Sequence, residues 1–213
     1  MEAHDFGWAR RGPPAESRGD NMKKASIAVI AVTSVMAYSL TAMAEDSVPK
    51  GWSFQGSKPE AFEIKADPGQ KSPRGNSISI QSKGETDGMA TLMQVIKADD
   101  FRGKRVRFSG HIKGEGVKSW SALWMRINNA DGTISAFDNM EKRAFRGSGD
   151  WKKHEVVLDV PNDSSTISFG ALLSGSGQVW VGGLDFQTVD ETVSVTAKSK
   201  PDLNRKPANL ELN

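Results

Sequence analysis

Two side chains in the middle of the sequence, Trp124 and Arg126, could together bind a small polar ligand. They fall on the same side of segment 120–128 if it is a β-strand, because successive side chains of a strand point to opposite faces. An indole can stack on the apolar face of a sugar ring, and a guanidinium donates hydrogen bonds to hydroxyl or carboxylate oxygens. The alternative is structural, with Trp124 covered in a second small core or a dimer contact and Arg126 stacked on it.

His111 and Gln94 are weaker candidates for the same ligand-binding site. His111 falls on the polar side of its predicted strand, so it joins Trp124 only if the two strands are neighbours; otherwise it is an ordinary solvated histidine. Gln94 would reach the ligand from a third strand.

Asp138 and Asn139 directly follow a short predicted strand and could hydrogen-bond a ligand at the rim of the site. Both residue types also bond their own backbone in turns, which is the structural alternative. A pairing of Asp138 with Arg126 or Arg143 would be structural as well.

Catalysis finds little support. The sequence has no Gly-x-Ser-x-Gly elbow, no His-Glu-x-x-His motif and no cysteine. Nothing places carboxylates such as Asp138 and Asp159 at the separation a glycosidase uses. Zinc is not expected, because only His111 and His154 lie beyond residue 44. We therefore expect no enzyme and no cofactor, with an uncharacterised hydrolase or lyase as the third alternative.

The elements that would position these residues are short strands separated by turn signals. The alternation of apolar and polar residues predicts strands at residues 61–66, 77–82, 90–96, 105–113, 121–128, 134–137, 154–160, 166–174 and 179–189. Strands at this spacing, with almost no helical period, predict an all-β, antiparallel sandwich or barrel.

The first 44 residues have the layout of an exported protein. Lys23 and Lys24 precede an apolar run over 25–40, and Ala42-Met43-Ala44 resembles a cleavage site, which predicts a signal peptide over 22–44. The alternative is an uncleaved anchor. Residues 1–21 are interpreted as a non-native or disordered extension before a start at Met22.

The domain is expected over 45–189, in the periplasm or secreted, followed by a polar tail over 190–213 that could dock through Leu210 and Leu212. The 28 Lys and Arg nearly balance the 26 Asp and Glu. This balance favours neither nucleic acid nor, after signal cleavage, a membrane as partner.

The order of residues resembles the galactose-binding-like jelly rolls, the architecture of many carbohydrate-binding modules. The resemblance covers about residues 51 to 189 and rests on Gly51-Trp52, the run Phe101–Gly110, Trp151, and Gly177–Val181. It implies a jelly-roll sandwich that binds a glycan. Modules of this kind often carry Asp-Asp where this chain has Gly182-Gly183, which argues against a structural calcium, an ion that needs six to eight oxygen ligands.

A narrower resemblance rests on Leu123–Arg126, Phe137–Met140, Asp150-Trp151 and Phe169–Gly175. These segments are similar to a small bacterial domain that occurs alone or behind a DNA-binding head, in proteins often labelled transcriptional regulators of the AraC type. This sequence has no basic helix-turn-helix pattern. The resemblance therefore implies a sensor-like domain without DNA binding.

Together these observations predict an exported, non-catalytic binding module of jelly-roll type for a carbohydrate or a similar small polar ligand. The alternative is a protein-interaction or effector-sensing domain of the cell envelope, which would use the same face as a protein contact.

Overall fold

The computed structural model describes residues 48–197, and these form an antiparallel β-structure with no α-helix. The nine strands are β1 (Ser53–Gly56), β2 (Phe62–Ala66), β3 (Ser77–Ser82), β4 (Met89–Lys97), β5 (Arg105–Asn129), β6 (Ile134–Asp138), β7 (Phe145–Asp159), β8 (Ser164–Ser174) and β9 (Gln178–Val189). Single 3-10 turns occur at Pro59–Ala61, Asp99–Phe101 and Glu141–Arg143. None of the helices within residues 48–197 is long and apolar enough to span a membrane. The predicted extension, signal peptide and most of the polar tail lie outside the described residues.

The strands form two layers that share one strand. The first half of β5 pairs with β7 and β9, and its second half pairs with β8 and β6. We call the layer β7-β5-β9-β3-β2 the first sheet and the layer β6-β5-β8-β4-β1 the second sheet. The two layers face each other: a Cβ at Gly110, in the first half of β5, would lie 3.6 Å from Leu123 Cδ1 in its second half.

Glycines allow β5 to pass from one sheet to the other. Its pairing with β7 is irregular between Ile112 and Ser121, and Gly116 has φ +58. A Cβ at Gly114 would come within 2.3 Å of the Phe145 ring. Two separate strands joined by a loop were predicted here; the structure instead runs a single strand of 25 residues.

The core between the sheets follows the predicted alternation. Its largest fully buried side chains include Phe108, Ile112, Leu123, Met125, Ile127, Leu158, Ile167 and Leu173. Burying a side chain of this size contributes about 1.5–3 kcal/mol. The antiparallel sandwich of jelly-roll type is therefore confirmed, and a core of this size needs no disulfide.

Candidate functional site

A cleft opens between the two sheets along the second half of β9. Strand β3 pairs with β9 only as far as Gly182, so residues 184–189 have a ladder partner on the β5 side alone. The cleft has a volume of about 180 Å³. It is lined by Trp52, Gln94, Phe108, Phe169, Leu184, Asp185 and Phe186.

A bulge at Gly182-Gly183 opens this edge. Ser109 pairs with Asp185, but two residues further along β5 His111 pairs with Gly182, so β9 holds one extra residue. Gly183 has φ +60, a left-handed conformation that glycine adopts without strain. Beyond the bulge, β9 is no longer in register with β3.

Aromatic rings form the floor and one wall of the cleft. The Phe169 ring centroid lies 5.0 Å from that of Phe108 and 4.7 Å from that of Phe186. The Trp52 ring stands edge-on to Phe169 at 6.0 Å. Phe108 and Phe169 are buried, whereas Trp52 and Phe186 are half-buried. The floor is therefore fixed by core packing, and the rim presents partly accessible rings.

Gln94 supplies the uncharged polar group of the cleft. It lies opposite Phe169 in the β4–β8 ladder, in phase with the inward side chains Ala90 and Leu92. Its side-chain amide makes no hydrogen bond to any residue in the described part of the chain. The amide can therefore offer two donors and one acceptor oxygen to a ligand. Asp185, in contrast, already accepts a hydrogen bond of 2.7 Å from Gln187 Nε2.

This combination suits a molecule with one apolar face and several hydroxyl groups. Ligand pockets are typically apolar cavities of roughly 300–1,000 Å³ with a few polar groups that fix orientation. A cleft of about 180 Å³ is smaller. It therefore fits a single ring better than a long ligand.

The six residues predicted for one site lie in four places, and only Gln94 lies in the cleft. Trp124 stands on the outer face of the second sheet, but its side chain is only 3% exposed. It lies opposite Gly170, and its Nε1 donates to Thr91 Oγ1 on the next strand at 2.8 Å. The prediction of an exposed stacking platform is therefore wrong: the ring lies across β8 where Gly170 has no side chain, and its N–H is already satisfied.

Arg126 shares the outer face with Trp124, as predicted, and is half-buried. Its Nε donates to Asn128 Oδ1 at 3.0 Å. Burial lowers the pKa of the Arg126 guanidinium. The side chain thus lies on the outer face of the second sheet, away from the cleft.

His111 lies on the outer face of the other sheet, so the predicted patch with Trp124 does not form. The two residues belong to one strand but to different layers, because β5 crosses between the sheets. Burial, and then the charges of Lys153 and Arg74, lower the pKa of His111. Its Nδ1 is buried without a hydrogen-bond partner in the part of the chain that the structure describes.

Asp138 and Asn139 adopt the turn-forming alternative. Asp138 is 7% exposed and accepts hydrogen bonds from Arg143 Nη2 at 2.6 Å and from the Met140 amide at 2.8 Å. Burial opposes ionisation of Asp138, yet the bonds from Arg143, Thr196 and Met140 outweigh it and lower the pKa. Asn139 Oδ1 accepts from the Glu141 amide at 3.1 Å. Both side chains shape the end of β6 and do not reach the cleft.

Trp52 lines the cleft, although its place in the sequence predicts only a core or edge-covering residue. Two signals could have found it: its position directly before the first strand, and the Gly182-Gly183 pair that interrupts the alternation of β9. Residues 48–197 contain no cluster of three His, Cys, Asp or Glu side chains that could hold a metal ion.

Comparison with known proteins gives one curated relative. No family model matches the chain. An uncharacterized HTH-type transcriptional regulator of Bacillus subtilis (strain 168), YbfP, is 42% identical over 167 residues, which are 76% of this chain and 56% of that protein. This chain thus spans only about half the length of the relative it matches. The resemblance to a domain found in transcriptional regulators is confirmed.

Solved structures share the β-sandwich at low sequence identity. The enzymatically active domain of tailspike protein 4 from bacteriophage CBA120 matches with a TM-score of 0.52 and 12% identity, over 66% of this chain and 20% of that one. The CBM22-1 xylan-binding domain from Paenibacillus barcinonensis matches with a TM-score of 0.48 and 16% identity, over 68% of this chain and 90% of that one. The jelly-roll resemblance is likewise confirmed, as a likeness of fold.

Proposed function

We propose that this protein is a non-catalytic binding module and that the cleft beside Gln94 holds a carbohydrate or a similar small polar ligand. The observation that carries the proposal is the amide of Gln94, which has no hydrogen-bond partner among the described residues although it lines a cleft with three phenylalanine rings and Trp52. Gln94 is half-buried, so its amide is accessible from the cleft. A ligand hydroxyl can hydrogen-bond it directly.

The rings and the amide have separate roles in this proposal. The half-buried indole of Trp52 offers an accessible face for the apolar side of a sugar ring, and stacking there supplies affinity. Gln94 fixes the orientation of the ring through its hydroxyl groups. The floor formed by Phe108 and Phe169 is buried and packed in the core, so binding should order little of the protein.

The lining also supports binding without catalysis. Glycoside hydrolysis ordinarily uses two carboxyl groups, one on each side of the scissile bond. Among residues 48–197, Asp185 is the one carboxylate that lines the cleft, and its Oδ2 already accepts a hydrogen bond from Gln187.

Replacing Gln94 with Leu tests the proposal. The variant replaces the amide with an apolar group of similar size and so removes its hydrogen bonds to the ligand. We expect at least tenfold weaker binding. Titration calorimetry with the best ligand from a glycan array measures the change. Trp52→Ala should weaken binding as well. Gln55→Ala is the matched control, because Gln55 is an exposed glutamine on β1 that does not line the cleft. Unchanged affinity in a folded Gln94→Leu variant would exclude the cleft as the site.

The relative from Bacillus subtilis favours a second candidate, an effector-sensing domain. At 42% identity over most of this chain, that protein shares this domain and has further length of its own. We infer that the same cleft would then hold the effector. Calorimetry with free monosaccharides against polymeric glycans discriminates the two, since a sensor prefers the small molecule and an adhesive module the polymer.

We also propose that the domain works outside the cytoplasm, in the periplasm or secreted. Support comes from the charged, apolar and small-residue segments over 22–44. The mass of the protein purified from its native host is the test, with a chain that starts at Glu45 as the expected result.

A further inference from the structure

His111 lies directly behind the bulge that opens the cleft. It stands opposite Gly182 in the β5–β9 ladder, on the outer face of the first sheet. Its Nδ1 would lie only 3.2 Å from a Cβ added to Gly183, so the imidazole packs against the bare backbone of the bulge. The three residues that follow Gly183, residues 184–186, line the cleft. A single histidine therefore contacts the glycine that leads into one wall of the cleft.

The nitrogen that faces the bulge has no acceptor. Nδ1 of His111 is buried and makes no hydrogen bond to any residue within 48–197. A neutral imidazole tolerates this position, because it can carry its proton on Nε2 and leave Nδ1 as an acceptor. An imidazolium carries N–H groups on both nitrogens. A protonated His111 would therefore bury a charged donor that no described residue satisfies, which is costly.

Cations flank the imidazole on both sides. Lys153 of β7 stands opposite His111 in the β5–β7 ladder. Arg74 belongs to the loop that joins β2 to β3, and its Cβ would lie 3.0 Å from a Cβ added to Gly183. The loop thus packs on the outer side of the bulge. Burial, and then the charges of Lys153 and Arg74, oppose protonation and lower the pKa of His111.

The carboxylates on this face lie one row away from His111 and are already engaged. Glu155 of β7 and Asp185 of β9 both stand opposite Ser109. Glu155 lies 4.0 Å from Arg107 Nη1, and Asp185 accepts a hydrogen bond from a side chain of its own strand. The other titratable residues along these strands and the loop are Lys113, Asp150, Lys152, His154, Asp67 and Lys71. The two charges that bear on the pKa of His111 are both cations.

The bulge is the side of His111 that can give way. Toward β7, His111 belongs to an uninterrupted ladder over residues 105–112. Toward β9, the ladder is irregular between Ser109 and His111, and the pairing of β3 with β9 ends at Gly182. Gly182 and Gly183 also have the widest choice of backbone conformations. A repulsion at His111 is therefore relieved most easily by moving the bulge.

We propose that His111 is a pH-sensitive switch of the cleft: in acid, the protonated imidazole displaces the Gly182-Gly183 bulge and the Arg74 loop, and the cleft wall over residues 184–186 moves with them. At neutral pH the uncharged imidazole keeps the bulge closed. The switch concerns the shape of the cleft, so it does not depend on which ligand the cleft accepts.

Hydrogen exchange of single amides tests the switch in the absence of any ligand. Protection factors, which correct for the intrinsic pH dependence of exchange, are compared at about pH 7.5 and about pH 5. The amides of residues 183–186 should lose about fivefold or more of their protection in acid, because the open bulge takes up a proton that the closed one resists. His111→Gln should abolish this loss. Unchanged protection in the wild type, or a loss that persists in His111→Gln, would overturn the proposal.

His154→Gln is the matched control for this experiment. His154 lies on the neighbouring strand but stands opposite Gly110, whose added Cβ would meet Leu184 and Leu123 between the sheets, so it faces the inner side. The variant should keep the acid-dependent loss at residues 183–186. If His154→Gln abolished the loss as fully as His111→Gln, exchange would occur through unfolding of the whole domain and the switch would be excluded.

The titration of the imidazole gives a second readout. The pKa of His111, followed by the NMR shift of its ring protons, should lie below 6.5 in the wild type. Arg74→Gln should raise this pKa and reduce the acid-dependent loss of protection, because one of the two cations is removed. Lys71→Gln is the matched control, since Lys71 is an exposed cation of the same loop that does not shift the pKa of His111. An identical His111 pKa in Arg74→Gln and the wild type would contradict the proposal.

Discussion

His154 shows how a single buried side chain couples the fold to pH. It stands opposite Gly110 in the β5–β7 ladder, and its Nε2 is buried with no hydrogen-bond partner within residues 48–197. Burial, and then the charges of Lys152, Arg143 and His111, lower its pKa from 6.5. The folded state therefore favours the neutral form of this imidazole.

The free energy of unfolding should fall as the pH drops below about 6.5, where the unfolded histidine takes up a proton but folded His154 resists it. The contribution of His154 to the free energy of unfolding is complete above about pH 6.5. It is lost as the pH falls from there to the pKa of His154 in the folded state. Urea midpoints at about pH 7 and about pH 5.5 should differ less in His154→Gln than in the wild type. Asp138 does not interfere, because its pKa is lowered from 3.8 and its stabilisation is lost only at more acidic pH. An identical pH dependence in the variant would contradict this assignment.

Trp124 shows why the candidate site could be predicted only in part. Alternation separates two faces of a strand, but it does not tell which polar-looking face is covered. Trp124 and Arg126 do share a face, as predicted, yet Thr91 satisfies the indole. Gln94 reaches the cleft because β4 places it in phase with core residues, a position that its polarity alone argues against.

At the scale of the elements, the crossing of β5 depends on a close packing of glycine against an aromatic ring. A Cβ at Gly114 would lie 2.3 Å from Phe145 Cε1, whereas one at Gly149 would lie at an ordinary 3.4 Å from Phe145 Cζ. Phe145 is 6% exposed, so its ring has little room to move.

Gly114→Ala should therefore destabilise the domain by about 1–3 kcal/mol through overpacking. Gly149→Ala is the matched control against the same ring and should change the free energy of unfolding by under about 0.5 kcal/mol. Chemical denaturation measures both. Equal effects of the two substitutions would show that the ring can shift and that Gly114 is not required.

Most strands could be predicted because alternation, with turn residues between, is a local signal. The continuity of β5 could not, since Gly114 and Gly116 are typical turn residues and only the tertiary contact with Phe145 shows that the strand continues. Strand β7 begins at Phe145, well before the predicted residue 154. This early start could not be predicted, because the first half of β7 is polar and its pairing is with the crossing part of β5.

At the scale of the whole molecule, one arginine fastens the last described segment to the sandwich. Arg105 pairs with both oxygens of Asp159, at 2.7 and 3.0 Å. Its Nη1 also donates to the carbonyls of Glu191 and Val193, at 2.6 and 2.7 Å. The chain after β9 is thereby directed across the sheet toward the Thr196 contact on β7.

Arg105→Gln should loosen this segment without unfolding the domain. Hydrogen exchange at the Thr196 amide, which donates to Val157, should accelerate at least tenfold, while core amides of β8 keep their protection. Arg107→Gln is the control, because Arg107 lies on the same face of β5 but pairs with Glu155 at 4.0 Å. Unchanged exchange at Thr196 in Arg105→Gln would mean that the segment is held by its other contacts.

The strand order also determines when this chain can fold. Strand β8 lies between β4 and β5, and β9 lies between β5 and β3, so the last two strands within residues 48–197 occupy central positions in the two sheets. Without them the ladders fall into three unconnected groups: β1 with β4, β2 with β3, and β5 with β6 and β7. A nascent chain that has not yet reached Ser164 therefore has no sandwich to complete, and assembly must wait for strand insertions between partners far apart in sequence, which is a slow route to the native state.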